Sequence, residues 1–235
     1  MISIASEDEC ETLEVLQALI KSKHISAVEA WACFSKPVAV NDFKRHTVKL
    51  NKTQISNIES LRDKVKSCLK ARAKKRCGYC RRALGQHGMS WHIEHIYGKT
   101  KFPDQIFKLS NLLYACIDCN MVKNNSVDRA NPFVFDIINP NEPAFSYGDH
   151  LSFVQLSTEH LHILKYDHRS KEGKNTYAKL KLASLESLEI MSSLNEAVKE
   201  LSERIDDRLS ELLSSGENRE IADFLHKIKM NLSLE

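Results

Sequence analysis

Two pairs of cysteines, each separated by two residues, carry the clearest chemical signal in this 235-residue chain. The pairs are Cys77 with Cys80 and Cys116 with Cys119, and 35 residues lie between them. A tight C-x-x-C turn lets two thiolates converge on one metal ion, and two such turns complete a tetrahedral site. The alternatives are free thiols in two turns, or an iron–sulfur centre. We predict a structural zinc ion, and a site closed by four thiolates leaves no position open for chemistry.

A carboxylate followed directly by a histidine, Glu94-His95, lies between the two cysteine pairs. Asn111 follows 16 residues after the histidine, Asn120 nine residues later, and Asn124 one helical turn further on. Mg²⁺ prefers oxygen ligands, which carboxylate and amide side chains supply. A histidine has an ordinary pKa near neutrality, so His95 is suited to take a proton from a water molecule. The spacing therefore predicts a second site, with a divalent ion beside a general base.

The order of these residues resembles the HNH nucleases, in the form that carries a zinc ion on four cysteines. The resemblance rests on the two cysteine pairs and on the runs IEHI, NLLYACIDCN and VKNN, and it covers residues 77–125. It implies a ββα-metal fold, in which two β-strands and one α-helix surround a catalytic metal ion. Gly98-Lys99-Thr100 departs from the Pro-Lys-Ser that members of the family often have, but this difference removes no metal ligand.

The resemblance assigns a role to each residue of the motif. His95 matches the general base that activates water, and Glu94 matches the metal ligand that precedes it. Asn111 matches the central asparagine, which constrains the loop and orients the base. Asn120 matches the third motif position, which binds the metal ion, and Asn124 matches a further ligand position. Mg²⁺ or another divalent ion is the catalytic cofactor that these matches imply, beside the structural Zn²⁺.

His92 has two interpretations. In a β-strand through residues 91–96, His92 and Glu94 share one face and His95 lies on the other. A strand that ends, bulges or turns at Glu94-His95 would bring both side chains to one site. His92 is then either a third metal ligand or, as we favour, a structural or phosphate-facing residue.

Basic residues are concentrated before the first cysteine pair. Nine lysines and arginines and no acidic residue lie between positions 64 and 82. Such a patch often faces nucleic-acid phosphate, although a solvated helix face is the alternative. We predict nucleic-acid contacts for Lys74, Lys75 and Arg76. The resemblance adds Lys99 and Lys123, at positions where basic residues of such nucleases often face phosphate.

Apolar periodicity and composition breaks divide the chain into four regions. These are an N-terminal helical region, the nuclease core with its zinc site, an extension of loops and short strands, and a C-terminal helical region, at 1–75, 76–130, 131–175 and 176–235. Helical spacing predicts two helices in residues 8–35, the second opened by a capping box at SAVE, and a third in residues 54–75. Residues 36–51 read as irregular. The predicted fold class is mainly α with a small α+β core.

The C-terminal region carries a short heptad pattern of apolar residues. They are Met191, Leu194, Val198, Leu201, Ile205 and Leu212. Arg208 is the one mismatch, and Ser215-Gly216 ends the helix before a last amphipathic segment. A seam this short is more typical of an intramolecular helix pair than of a free coiled coil, and a partner-binding role is the alternative.

Composition limits the class of protein. A hydrophobic content of 42% with 28% charged residues is ordinary for a soluble globular chain. No apolar run approaches the roughly 18 residues that a membrane span needs, and the acidic start MISIASEDECETLE has no signal-peptide pattern. The odd count of seven cysteines argues against a disulfide framework. We therefore expect a cytoplasmic protein with no membrane partner.

Beyond residue 125 the resemblance is looser. It extends to stand-alone bacterial HNH proteins, including the nuclease subunit of Septu-type and retron-associated anti-phage systems, which pairs with an ATPase of the ABC/SMC kind. The resemblance thus implies a metal-dependent endonuclease that cuts DNA or RNA and works with such an ATPase. The alternative is a zinc-stabilised nucleic-acid-binding module with no cleavage activity.

Overall fold

The computed structural model describes residues 2–84, 91–131, 133–157, 161–190, 195–215 and 219–232. The chain divides into two compact units. The larger is Met1–Phe153 with Tyr166–Glu186, and the smaller is Val154–Lys165 with Ser187–Glu235. Both units are built mostly of helices with small antiparallel sheets, which confirms the predicted fold class at this level. Within the described ranges, no helix has the length and apolarity needed to cross a membrane.

Three helices open the larger unit, as the periodicity predicted. They are α1 (Glu7–Lys21), α2 (Ala27–Ser35) and α3 (Lys52–Arg72). Each begins at a capping box, in which the first residue's side chain and a Glu or Gln three residues later satisfy each other's backbone N–H groups. The capping residues are Ser6, Ser26 and Asn51. The predicted capping box at Ser26 is therefore confirmed.

One hydrophobic core joins these helices to the region that contains the motif. The apolar face of α3 is fully buried, and its residues are Ile58, Leu61, Val65 and Leu69. The same cluster includes Leu13 of α1 and Phe34 of α2, and it continues to Leu112 and Tyr114 beyond α3. The N-terminal helices therefore form the support against which the motif region packs.

Residues 36–51 are not irregular throughout, as the sequence suggested. They contain an antiparallel hairpin of β1 (Val40–Asp42) and β2 (Thr47–Lys49). Val48 is buried in the core of the larger unit and anchors the hairpin there. Strands of three residues are too short for alternation of apolar and polar residues to be visible in the sequence.

The motif occupies two strands and the helix that follows them. β3 (Trp91–His95) pairs antiparallel with β4 (Leu112–Cys116), and α4 (Ile117–Lys123) begins directly after β4. The register places His95 opposite Leu112 and Trp91 opposite Cys116. A single π-helical turn, Asn124–Asp128, continues α4. This turn places residues 124–128 at the far end of the helix from the cysteines.

The extension after residue 130 contains more regular structure than was predicted. β5 (Leu151–Ser157), β6 (Leu161–His168) and β7 (Ser187–Ile190) form a sheet in that order. The short strands predicted for this extension correspond to β5 and β6. α5 (Lys171–Lys179) starts five residues before the helical onset expected at 176, because the Ser170 side chain caps it by accepting from Gly173 N–H.

The smaller unit contains the predicted helix pair, α6 (Asn195–Ser215) and α7 (Arg219–Leu232). Ile205, Leu209, Leu212 and Ala222 form a buried cluster between these helices. Leu209 replaces the mismatched Arg208 in the seam, while Arg208 points outward and pairs with Glu211. The intramolecular pairing of the seam is thereby confirmed, and the predicted seam residues Met191 and Leu194 lie outside the described residues.

Candidate functional site

The four cysteines of the two pairs form one buried cluster. Their sulfur atoms all lie within 4.8 Å of one another, and Cys80 Sγ is 3.8 Å from Cys116 Sγ. Four thiolates around a tetrahedral zinc ion at about 2.3 Å would lie about 3.8 Å apart. Hydrogen bonds from Cys119 and Cys77 lower the pKa of the Cys116 thiol, whereas burial raises the pKa of the Cys77 thiol. The cluster could hold one metal ion such as zinc.

Backbone hydrogen bonds bring the first cysteine pair to the second. Gly78 N–H donates to the carbonyl of Tyr114 at 2.8 Å, which ties the first turn to β4. A Cβ atom at Gly78 would lie only 2.7 Å from the Leu113 side chain. Any side chain at this position would have to displace the Leu113 side chain, and glycine avoids that contact. Cys116 is also the N-cap of α4, and its Sγ accepts from Cys119 N–H at 3.4 Å.

Two tyrosines of the extension hold the same turn from the other side. Tyr147 Oη donates to the carbonyl of Tyr79 at 2.9 Å, and Tyr166 Oη donates to the carbonyl of Cys80 at 2.7 Å. Sequence reasoning did not identify either residue, because a lone tyrosine in a loop-rich segment has no spacing that marks it. The extension therefore contributes directly to the geometry of the cysteine cluster.

A cavity of about 480 Å³ lies where β3 ends, and we call it the motif cavity. Its charged and polar lining comprises Glu94, His95, Lys99, Thr100, Lys101, Asn124, Asp128 and Arg129. Glu94 and His95 project from opposite faces of a strand, but β3 ends at His95 and both side chains reach this cavity. Because the strand ends at His95, the alternation of side chains along β3 does not keep Glu94 and His95 apart.

His95 is held as a neutral imidazole. Its side chain is only 2% exposed, and its Nε2 lies 3.2 Å from the carbonyl oxygen of Ile106. A carbonyl accepts only from a protonated nitrogen, so Nε2 carries the hydrogen and Nδ1 keeps a lone pair. Nδ1 has no hydrogen-bond partner among the described residues. Burial, with a smaller contribution from the positive charge of Lys99, lowers the pKa of His95 to about 3.

Trp31 of α2 fixes the plane of the His95 ring. The two rings meet edge to face, with centroids 4.3 Å apart. Trp31 in turn packs against Phe34, at a centroid distance of 4.8 Å. The N-terminal helices therefore position the histidine, a role that the motif alone did not reveal because Trp31 lies 64 residues before it.

Lys123 is completely buried and binds the acidic residues of the motif cavity. Its Nζ lies 2.9 Å from Glu94 Oε1 as an ion pair, and it donates to both carboxylate oxygens of Asp128 at 3.0 Å. It also donates to the carbonyl of His95 at 3.0 Å. The prediction that Lys123 faces phosphate is therefore wrong for this structure, because a lysine with 0% exposure and three partners cannot reach a ligand in solvent.

Glu94 is buried within this group of charged side chains. Burial raises the pKa of its carboxyl group, and the neighbouring Lys123 reduces that effect. Asp128, which the sequence did not single out, shares the same ammonium and the same cavity. The only sequence signal for Asp128 was its position five residues after a lysine of the motif.

Asn111 ties the ends of the loop between β3 and β4 together. Its Oδ1 accepts from Tyr97 N–H at 2.7 Å, and its Nδ2 donates to the carbonyls of Tyr97 and Gln105. The side chain is 2% exposed. Gln105 directly precedes Ile106, whose carbonyl accepts from His95, so Asn111 and His95 are bound to the same segment of loop. This placement agrees with the loop-constraining role that the resemblance implied.

Asn120 does not line the motif cavity, although it was predicted to bind a metal ion with Glu94. It lies one turn before Asn124, and its Oδ1 accepts from Asn124 Nδ2 at 3.2 Å. Its own amide nitrogen contacts His92 Nδ1 at 2.8 Å. The packing of α4 on β3 explains the difference. It places Asn120 beside His92 and Lys123 beside Glu94. The three predicted metal ligands therefore do not all lie at one site. Glu94 and Asn124 line the motif cavity, and Asn120 does not.

The predicted basic residues differ in their exposure. Lys74, Lys75 and Arg76 are exposed in the turn that precedes Cys77. Lys99 is partly buried and lines the motif cavity, and this burial lowers the pKa of its amino group. Lys101 and Arg129 also line that cavity, although sequence reasoning passed over them. The cavity thus combines two carboxylates, one neutral imidazole and several cationic side chains.

Comparison with known proteins adds no assignment. No protein-family model, no curated protein and no solved structure matches this chain.

Proposed function

We propose that this chain is a metal-dependent endonuclease of the HNH kind, which hydrolyses phosphodiester bonds in nucleic acid. The observation that carries the proposal is His95. A neutral imidazole with a bare Nδ1 lines a cavity that also contains Glu94 and Lys99. An antiparallel strand pair followed by a helix, with these residues at the strand end, supports the ββα-metal interpretation.

His95 takes a proton from the attacking water. The hydrogen bond from Nε2 to the Ile106 carbonyl leaves Nδ1 as the acceptor atom, and the edge contact with Trp31 keeps the ring in one plane. Lys99 disfavours the protonated imidazole, so a phosphate anion bound at Lys99 raises the basicity of His95. General-base catalysis of this kind contributes roughly 10²- to 10⁴-fold to a rate.

The oxygen donors of the motif cavity fit a hard divalent ion such as Mg²⁺. Glu94 and Asn124 are the predicted ligands that line it, and Asp128 adds a second carboxylate. When bound, such an ion supplies charge stabilisation to the scissile phosphate and the leaving oxygen. Lys123 keeps the two carboxylates at a fixed separation by contacting both of them.

The cationic side chains bind the nucleic-acid backbone. Lys99, Lys101 and Arg129 line the cavity and are positioned to contact phosphates beside the reacting group. Lys74, Lys75 and Arg76 lie exposed before the cysteine cluster and extend the basic surface. Contacts of this kind position a substrate without reading its sequence.

Cys77, Cys80, Cys116 and Cys119 would hold a structural zinc ion, which would take no part in the reaction. Four thiolates would close the coordination sphere, and α4 begins directly after Cys116 and contains both Cys119 and Asn120. The metal ion thus fixes where α4 begins, and therefore where Lys123 and Asn124 lie at its other end. Removing zinc impairs cleavage although zinc takes no part in the chemistry.

The biological setting rests on the sequence resemblance alone. It suggests that the chain is the nuclease effector of a bacterial anti-phage defence complex, working with an ATPase of the ABC/SMC kind. Co-purification with the products of neighbouring genes tests this directly, and a defence role fails if no ATPase is recovered.

Lys123 favours one second candidate function, a zinc-stabilised nucleic-acid-binding module that does not cleave. Its ammonium already neutralises Glu94 and Asp128, as a metal ion would. A plasmid-nicking assay with Mg²⁺ and with EDTA separates the two functions. The nuclease predicts Mg²⁺-dependent nicking that His95→Ala abolishes, whereas the binding module predicts retention of DNA with no nicking in either buffer.

A further inference from the structure

A second cavity, of about 520 Å³, lies beside the motif cavity in the larger unit, and we call it the aromatic-basic cavity. Both tryptophans of the chain, Trp31 and Trp91, line it, together with Arg62, Lys66 and Lys99. His92 and Asn120, which contact each other, add neutral polar groups to the lining, together with Ser35. Nothing in the proposed catalytic steps uses this cavity.

The lining has the charge expected of an anion site. Of the described residues that line it, none is aspartate or glutamate, and three are cationic. Asp63 lies 3.8 Å from Arg62 Nε and 3.7 Å from Lys66 Nζ, but its own side chain is 69% exposed and lies outside the cavity. Pairs with so exposed a carboxylate are weak, so an incoming phosphate can compete with Asp63 for both cations.

The two tryptophans offer rigid surfaces for a flat ligand. Trp91 packs on Tyr114 with ring centroids 4.2 Å apart, and Trp31 is fixed between Phe34 and His95. Neither tryptophan is fully buried, so each keeps part of its surface available. Stacking of one base on an aromatic side chain contributes about 1–3 kcal/mol and is tolerant of sequence.

Two residues connect this cavity to the proposed reaction site. Lys99 lines both cavities, and Trp31 touches both the second cavity and the ring of His95. A nucleotide in the second cavity would therefore lie next to a phosphate bound beside His95. A base that is paired and stacked in a duplex cannot enter such a cavity without leaving the helix.

We propose that the aromatic-basic cavity binds one unpaired nucleobase, with its phosphate on Arg62 and Lys66, next to the phosphodiester bond that is cut. The substrate class is then single-stranded nucleic acid, or a duplex with unpaired bases. This inference deepens the proposed function and rests on it for the identity of the neighbouring reaction.

Intrinsic fluorescence reports on this site directly, because the chain has only two tryptophans and both line the cavity. The full-length protein, without added Mg²⁺, is titrated with a 20-nucleotide single strand and with the same sequence as a blunt duplex. We expect saturable quenching by the single strand and much weaker quenching by the duplex. Equal quenching by both, or none by the single strand, overturns the inference.

Variants test which side chains carry the binding. Trp91→Ala should weaken single-strand binding by about 5- to 150-fold, measured by anisotropy of a labelled strand, and Trp91→Phe should recover most of it. Lys66→Ala keeps both tryptophans as reporters and should lower the salt slope of log K by about 0.7. Lys52→Ala removes an exposed lysine of the same helix outside the cavity, and should change neither quantity. Unchanged binding in both Trp91→Ala and Lys66→Ala contradicts the proposal.

Cleavage assays distinguish failure of this inference from failure of the proposed function. Quenching and variant effects without any Mg²⁺-dependent cutting support the cavity and contradict the nuclease. Cutting by wild type that shows no preference for unpaired strands, and that Trp91→Ala leaves unchanged, contradicts the cavity and leaves the nuclease intact.

Discussion

Replacing Lys123 by methionine removes the only cation that contacts Glu94 or Asp128 at ion-pair distance in the described part of the chain. Methionine keeps the unbranched shape of the side chain as far as Cε but lacks the ammonium group. In the wild type this ammonium lies 2.9 Å from Glu94 and 3.0 Å from Asp128 with no exposure to water. Breaking a buried ion pair by removing one partner costs about 3–5 kcal/mol, because the remaining charge is left uncompensated. For a unit of this size, that corresponds to a fall in Tm of about 6–20 °C.

Lys179→Met is the matched control for this change. Lys179 pairs with Asp136 in the same unit, but their side chains are 36% and 30% exposed, so its loss should cost no more than about 1 kcal/mol. Urea unfolding of wild type and both variants at pH 7.5, with zinc present, measures the difference. Adding Glu94→Gln to Lys123→Met should recover at least part of the loss, since it removes one stranded charge. The reasoning is refuted if Lys123→Met costs no more than Lys179→Met.

Three further changes probe the cluster and the histidine. Gly78→Ala should destabilise the protein by about 1–3 kcal/mol in urea unfolding, because its Cβ would overlap the Leu113 side chain. An unchanged midpoint would show that the Leu113 side chain moves aside at no cost and would contradict this reasoning. Tyr166→Phe should lower the free energy of unfolding by about 1 kcal/mol, because the hydrogen bond to the Cys80 carbonyl is lost. It should also weaken zinc retention in a competition with a chelator. Equal zinc retention by the variant and the wild type would show that Tyr166 does not support the cysteine cluster. The pKa of His95 is about 3 in the folded protein and about 6.5 in the unfolded chain. The unfolded chain therefore binds the extra proton as the pH drops from 7.5 to 5. Over this range the free energy of unfolding should fall by about 2 kcal/mol because of this group. In His95→Asn this fall should be smaller by the same amount, and identical pH profiles would contradict the buried, neutral imidazole.

Local patterns in the sequence predicted the helices well. The apolar face of α3 and the capping box at Ser26 were visible because each depends on residues three or four positions apart. The two C-x-x-C turns predicted the four-cysteine cluster, because two matched pairs of thiols are typical of a metal site.

Features that depend on contacts distant in the chain were not visible. The ring of His95 rests on Trp31, and the first cysteine turn is held by Tyr166, 86 residues beyond Cys80. Lys123 was expected at phosphate because the resemblance places it at a position where basic residues of HNH nucleases often face phosphate. Its burial follows from the way α4 packs on β3, which places residue 123 above residue 94 and Asn120 above His92. The register between a helix and a strand is a tertiary property, and no local pattern specifies it.

The most direct test of the proposed chemistry compares cleavage rates of wild type and His95→Ala. Both proteins are prepared with zinc, shown by unfolding to be native, and assayed with Mg²⁺ on plasmid DNA, single-stranded DNA and structured RNA. We predict that wild type cuts at least one substrate, that EDTA stops it, and that His95→Ala lowers the rate by 10²-fold or more. A His95→Ala protein that cuts as fast as wild type, or a wild type that cuts nothing with Mg²⁺, would contradict His95 as the base of a metal-dependent nuclease.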